Sequence, residues 1–325
     1  MPSSSLHLTL RQLRAFEAVA RRGSFSRAAE ELHLAQPTVS VQVRQVAQAV
    51  GVPLLEPSPQ GLALTEAGAL VAEAAREMSR SLERLETRLA ELKGLERGRL
   101  KVSVVTTAKY FVPRLLGPFM KAHPGIDVAL DVGNRAEIVN RLTRNDDDLY
   151  IMGVPPAGMD LVRVPFAENP IVAVAPVGHP LAGRRRLPLA RLAEEPFMLR
   201  ERGSGTRMAC ERFLKEHGLR LKVRMELGSN EAIKQAVAGG LGLSLLSLHA
   251  LSAEARRGEL AVLDVQHLPI RRSWYIVHRA GRPLSQAARS FFDYLQAEGV
   301  KLQAELRGTE PGLRSRPRRA RGGPA

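Results

Sequence analysis

The stretch SFSRAAEELHLAQPTVSVQV, residues 24–43, decides how the first part of the chain folds. Ser24 stands where a helix needs an N-cap, and Ala28, Ala29 and Leu32 recur behind it at helical spacing. A four-residue break follows, and Pro37 falls in the first turn of the next helix, where its missing N–H is harmless. That helix sets Val39, Val43 and Val46 on one face and leaves Gln36, Thr38, Ser40, Val41 and Arg44 on the other. Upstream, Thr9 and Gln12 make a capping box for a helix that turns Leu13, Phe16, Val19 and Ala20 inward and stops at Gly23. Three short helices with a tight turn between the last two fit a helix-turn-helix whose third helix reads DNA. Downstream, PLLEPSPQGLALT, residues 53–65, places two apolar runs around a Pro-Ser-Pro-Gln-Gly turn, the pattern of a small β-ribbon, or wing. The same spacings also fit a plain three-helix bundle followed by a loop.

Beyond the wing, Val71, Ala75, Met78, Leu82, Leu85, Leu89 and Leu92 alternate at spacings of 4 and 3, a heptad seam flanked by Glu and Arg. A narrow apolar stripe of this kind calls for a partner helix, so it predicts dimerisation; packing on its own domain is the alternative. Gly94 and Gly98 bracket a short hinge. From residue 100 onward the pattern becomes α/β. Strands are predicted at 100–105, 126–132, 149–152, 161–164, 171–175, 241–246, 260–265 and 274–278. Helices are predicted at 108–121, 135–143, 205–217, 231–238 and 284–297, which implies mostly parallel sheets. The last residues, from about 307, are Arg, Gly and Pro with few apolar groups, and read as a disordered basic tail.

The chain has 325 residues and a formal charge of +15, enough length for two or three domains. Its single cysteine, Cys210, excludes an intramolecular disulfide framework and a cysteine-based zinc cluster. The N-terminus lacks the pattern of an export signal and no run reaches membrane-spanning length, so a cytoplasmic location is expected. The charge is unevenly placed. Residues 1–98 carry 12 Lys+Arg against 11 Asp+Glu, whereas residues 99–306 carry 30 against 21. A near-neutral head releases few counterions, so an isolated head should have modest nonspecific DNA affinity and specific binding should lean on several heads together.

The helix-turn-helix run at 24–43, with LTEAGALV at 64–71 and an α/β remainder of about 200 residues, resembles LysR-type transcriptional regulators over nearly the whole chain to about residue 298. Residues 106–139 and 147–156 further resemble the CbbR subgroup, regulators of Calvin-cycle and rubisco operons. The resemblance implies a winged helix-turn-helix domain at 1–65, a linker or dimerisation helix and hinge at 66–98, and a two-lobed effector-binding domain at 99–298, like a periplasmic binding protein. Lobe I would span about 99–165 and 270–298, and lobe II about 166–269, with crossover strands near 163–166 and 268–273. A C-terminal extension, 299–325, follows. The implied assembly is a homodimer that pairs into a homotetramer, with double-stranded DNA, RNA polymerase and a small anionic effector as partners. The subgroup implies a phosphorylated metabolite or NADPH. Ala35, Ala47, Leu55 and Pro57 depart from the family's usual serine, glutamate, phenylalanine and arginine, so no phosphate contact is carried over to residue 57.

On this reading Gln36, Ser40 and Arg44, four apart, present a stripe to base edges in the major groove. Thr38 and, in the wing turn, Ser58 and Gln60 contact the DNA backbone, Val41 meets a thymine methyl, and Pro37 belongs to the same DNA-binding set. Ligands in such sheets sit at the carboxyl ends of strands, at helix N-termini. Two places qualify: Thr106 and Thr107, with Lys109 in the following turn, and Ser204, Gly205, Thr206 and Arg207 after Gly203. Asn134 and Arg135 add a third set of donors; ordinary helix capping is the alternative at all three. No His pair, nucleophile elbow or Walker motif suggests catalysis or a bound metal. The alternative functions are an architectural DNA-binding protein with a non-sensing α/β scaffold, or a LysR-type regulator of an unrelated metabolic operon.

Overall fold

The computed structural model describes residues 6–59, 61–92, 98–251 and 258–307. The chain divides into two compact units, Met1–Leu95 and Glu96–Ala325.

In the first unit, α1 (Leu10–Arg22), α2 (Phe25–Leu32) and α3 (Gln36–Val50) form the expected helical trio. The Thr9 and Gln12 capping box forms, Gly23 ends α1 in the left-handed region, and the Ser24 hydroxyl accepts from the Arg27 N–H. The turn between α2 and α3 is three residues, not four, because His33 itself adopts the left-handed cap with φ 52°. Ala35 provides no side-chain cap to α3. Phe16, Val19, Ala28, Val39, Val43, Val46 and Leu54 close the core. Burying each large apolar side chain contributes roughly 1.5–3 kcal/mol. The wing is β1 (Leu55–Ser58) paired antiparallel with β2 (Gly61–Leu64).

Helix α4 (Glu66–Leu92) starts where the Thr65 hydroxyl donates to the Pro53 carbonyl and accepts from the Gly68 N–H. The structure splits the heptad seam. Val71 packs into the head's own core and Ala75 is buried beside Ala72, so these two positions serve intradomain packing. Met78, Leu85 and Leu89 are exposed and Leu82 is half-buried. The Leu92 side chain lies outside the described residues, as does Gly94 of the hinge.

The second unit holds two five-stranded sheets, with strand orders β4-β3-β5-β12-β6 and β11-β7-β10-β8-β9. The first contains β3 (Gly98–Val105), β4 (Ile126–Gly133), β5 (Leu149–Met152), β6 (Leu161–Glu168) and β12 (Ser273–Arg279). The second contains β7 (Ile171–Pro176), β8 (Pro196–Arg200), β9 (Lys222–Leu227), β10 (Leu243–Ser247) and β11 (Leu260–Val262). The expectation of mostly parallel sheets is corrected: β3 pairs parallel with β4 and β5, but β12 runs antiparallel to β5 and β6. The second sheet is mixed in the same way, with β10 parallel to β8 and antiparallel to β7. The cause is the path of the chain, which passes from one sheet to the other after β6 and returns before β12. Because β6 runs to Glu168, the first crossing falls at Asn169 and Pro170, a few residues beyond the expected lobe boundary. The Asn169 N–H donates to the Arg272 carbonyl at 2.7 Å and the Ile171 N–H to the Ile270 carbonyl at 3.0 Å, so the two crossings lie side by side.

Helices flank the sheets: α5 (Val112–Ala122), α6 (Arg135–Arg144), α7 (Gly205–Glu216), α8 (Asn230–Ala238) and α9 (Gln286–Arg307). The helix expected from residue 108 is interrupted. A 3-10 turn, Ala108–Tyr110, comes first, and α5 restarts so that Pro113 falls in its first turn rather than breaking a continuous ladder. Strands β8 and β9 were not anticipated. Helix α9 continues ten residues past its expected end, across the boundary placed at 298. The remainder of the basic tail, 308–325, lies outside the described residues.

Candidate DNA-reading face and effector cleft

Helix α3 buries Val39, Val43 and Val46 and exposes Gln36, Pro37, Thr38, Val41 and Arg44, with Ser40 half-buried beside them. Ser58 sits at the tip of the wing, paired with Gly61; Gln60 lies outside the described residues. The head's cations near the end of α1 are engaged elsewhere. Arg21 and Arg22 both pair with Glu31, and the hydrogen bond from Arg21 holds the Glu31 carboxyl down at about 2. Among the basic residues of the first three helices, Arg44 therefore stands on the reading face while Arg21 and Arg22 are tied within the head.

In the second unit a small cleft, with about 20 Å³ of free space, opens where the two sheets meet. From the side of the first sheet it is lined by Thr106, Thr107, Arg135, Gly153 and Val154, with Trp274 on β12. From the side of the second sheet come Ser204, Gly205 and Thr206, the first turn of α7. Asn169 and Arg272, one from each chain crossing, line it between them. The sequence thus located six of the lining residues: Thr106, Thr107, Arg135, Ser204, Gly205 and Thr206.

Three of the expected residues lie elsewhere. Asn134 caps α6: its side-chain oxygen accepts from the Glu137 N–H, and the Glu137 carboxylate accepts from the Asn134 N–H. Lys109 lies over the Tyr110 ring, 5.2 Å from its centroid, and does not line the cleft. Arg207, expected as a fork for an anion, instead donates to Glu211, to Glu226 on β9 and to the Arg200 carbonyl. A guanidinium with two carboxylates in reach is held by them.

The cleft's chemistry is that of a donor array. Thr106 Oγ1 accepts from Arg200 Nη2 at 3.1 Å, while Arg200 also donates to Glu201 and to Asn230 Oδ1. Arg135 Nε donates to the Val154 carbonyl at 2.7 Å. Arg272 Nε donates to the Asn169 carbonyl at 3.1 Å, and its Nη2 donates to Thr206 Oγ1 at 3.2 Å. Neither Arg135 nor Arg272 has a carboxylate within ion-pair reach among the described residues. By contrast, Arg141 pairs with Asp147, Arg200 with Glu201, and Arg207 with Glu211 and Glu226. Desolvation lowers both cleft arginines, Arg272 to about 10, so both remain cationic near neutrality. Asn169 Nδ2 and Trp274 Nε1 are buried donors without a hydrogen-bond partner. The approach is narrow, since a Cβ on Gly153 would stand 2.8 Å from Asn169 Nδ2.

Asn169, Arg272 and Trp274 escaped the sequence reading. The return crossing had been placed at 268–273, but nothing in RRSW distinguishes the buried-side arginine from its neighbour. Cys210 is buried, its thiol pushed up to about 12, and no group of His, Cys, Asp and Glu among the described residues has a metal-binding arrangement. No helix among them is long and apolar enough to cross a membrane.

A helix-turn-helix with an exposed reading helix, joined in one chain to a two-sheet unit with a donor-lined cleft, defines a ligand-sensing DNA-binding regulator. Residues 10–69 match the bacterial regulatory helix-turn-helix protein, lysR family, and residues 93–299 match the LysR substrate binding domain. The chain belongs to the LysR family of transcriptional regulators. It is 50% identical to the HTH-type transcriptional activator CmpR of Synechocystis, over 89% of this chain and 95% of that one. It is also 50% identical to the RuBisCO operon transcriptional regulator of Acidithiobacillus ferrooxidans, over 90% and 94%. The solved regulatory domain of Synechocystis CcmR, in complex with 2-PG, covers 62% of this chain and 97% of its own, with a TM-score of 0.60 and 50% identity.

Proposed function

We propose that this LysR-type regulator controls carbon-dioxide-fixation genes and senses a small phosphorylated carboxylate, of the 2-phosphoglycolate kind, in the cleft between its two sheets. The observation that carries this reading is the lining itself: two arginines without carboxylate partners, threonine and serine hydroxyls, and two buried N–H donors without acceptors. Such a surface favours a ligand rich in negative oxygen. The first-turn N–H groups of α7 add the positive end of a helix dipole. Thr106, Thr107, Arg135, Ser204, Gly205 and Thr206 are its binding residues on this reading, whereas Lys109, Asn134 and Arg207 are not.

Cleft volume separates the two effector classes that the sequence suggested. The free space in the cleft is about 20 Å³, so either effector must part the lobes to enter, and a compact dianion parts them far less than a dinucleotide such as NADPH. The relative's complex with 2-PG and the rubisco-operon relatives support both the ligand class and the target genes. The effector would favour one arrangement of the lobes, and an oligomer of several heads, reading DNA through Gln36, Thr38, Ser40, Val41 and Arg44, would respond in how it holds its operator. Calorimetric titration of the full chain with 2-phosphoglycolate and with NADPH, followed by operator footprints under each, tests the proposal. Saturable binding of the first with an altered footprint supports it; binding of NADPH alone, or footprints indifferent to both, overturns it.

A further inference from the structure

Arg272 occupies a singular position in the second unit. It sits on the return crossing, and its guanidinium reaches two other segments, the outward crossing and the start of α7. Nε donates to the Asn169 carbonyl on the outward crossing, Nη2 donates to Thr206 Oγ1, and Nη1 lies 3.4 Å from the Gly205 carbonyl at the start of α7. All of these acceptors are neutral. The group is packed deep in protein volume while keeping a face on the cleft, and desolvation rather than any carboxylate sets its proton affinity. Asn169 and Trp274 line the same cleft, and their side-chain donors, Nδ2 and Nε1, are buried with no acceptor of their own. A half-buried, strongly desolvated cation and two orphaned N–H groups around one space are together unfavourable unless an anion completes them.

We propose that Arg272 is the charge anchor of the effector: the ligand's anionic group is the counter-ion of Arg272 and the acceptor for Asn169 Nδ2 and Trp274 Nε1. This assignment rests on the cleft being the effector site. It places the ligand's charge on the two chain crossings themselves. The Asn169 and Arg272 backbones are already hydrogen-bonded there, so a bound anion acts at the hinge and not on one lobe alone. Arg272 thereby determines specificity, since a neutral analogue leaves its charge without a partner.

The decisive variant is Asn169→Asp. Asn169 Oδ1 already lies 3.4 Å from Arg272 Nη2 and accepts from Ser247 Oγ at 2.7 Å, so an aspartate there supplies the counter-ion internally. The full chain should then melt at a higher temperature than wild type without ligand, and its affinity for 2-phosphoglycolate should fall by about 30-fold or more, since a charge-assisted contact is replaced by repulsion. Trp274→Phe keeps the aromatic packing and removes one N–H, so it should weaken binding about 5- to 10-fold with the melting temperature held. Arg272→Lys should retain part of the affinity that Arg272→Gln loses, and glycolate, which lacks the phosphate, should bind wild type far more weakly than 2-phosphoglycolate. An Asn169→Asp protein that melts lower than wild type, or that binds 2-phosphoglycolate as tightly, overturns the assignment. If wild type binds neither 2-phosphoglycolate nor inorganic phosphate, the effector reading itself fails and this assignment goes with it. Wild-type binding with an indifferent Asn169→Asp removes the assignment alone.

Discussion

The hydroxyl of Thr106, at the end of β3 in the first sheet, accepts a hydrogen bond from Nη2 of Arg200, at the end of β8 in the second, across a distance of 3.1 Å. One side chain of the cleft is thus also a tie between the two sheets. Replacing Thr106 with valine keeps the volume and removes the acceptor. Effector affinity should drop about 10-fold, the loss of one hydrogen bond to a charged group, while operator binding without effector is retained. Footprints and effector titrations on the variant check this; loss of operator binding would make Thr106 a structural residue.

Gly68 in the first turn of α4 lies against the Leu54 backbone so closely that a Cβ would stand 1.9 Å from the Leu54 carbonyl oxygen. Leu54 is buried in the head's core and Thr65 joins the same junction through Pro53. Gly68→Ala must push the linker helix off the wing, with a cost of about 2–4 kcal/mol to the head, despite alanine's better helix propensity. Urea unfolding of the head measures it. A variant as stable as wild type would mean that α4 is not seated as described.

The head was legible because each of its determinants is local. Caps at Thr9 and Ser24, a proline at the start of α3 and valines at helical spacing all act within a few residues of one another. The cleft was legible only where it too is local, at strand ends and helix starts such as Thr106 and Ser204. Asn169 and Arg272 are 103 positions apart, and their pairing follows from two chain crossings that no spacing reveals. Arg207 shows the opposite error. Its position at the start of a helix suggested an anion site, but the direction of its side chain is set by Glu211 one turn on and by Glu226 on a strand that had not been anticipated. A polar group's role depends on its nearest opposite charge, and that partner is often distant in sequence.

His249 gives the second unit a pH dependence of definite sign. It is packed between Phe111 and Trp274, with ring centroids 5.0 and 5.8 Å away, and its Nε2–H donates to the Glu168 carbonyl at 2.9 Å. Burial lowers it from 6.5 to about 4, and the nearby Arg272 charge acts in the same direction. Between these values the unfolded chain takes up a proton and the folded chain does not, so stability is complete above pH 6.5 and falls as pH drops toward 4. The total loss is on the order of 3 kcal/mol. His249→Gln should flatten this limb of the stability profile, as read from urea midpoints across the range. An unchanged slope would place the titration elsewhere.

The exposed seam of α4 bears on how a weakly charged head binds DNA. Met78, Leu85 and Leu89 remain uncovered after Val71 and Ala75 are taken into the head, so the outer part of the helix is what a second copy can use. With Arg21 and Arg22 tied to Glu31, a single head has few cations to release counterions from phosphate, and affinity must come from linking heads. The double variant Leu85→Glu, Leu89→Glu should leave the head folded, because neither side chain belongs to its core. It should also convert the full chain to monomer and lower operator affinity about 100-fold or more. Sedimentation and operator titration on the same samples decide the matter. A variant that stays oligomeric removes the seam from the interface, and a monomer that binds the operator as tightly as wild type shows that one head suffices.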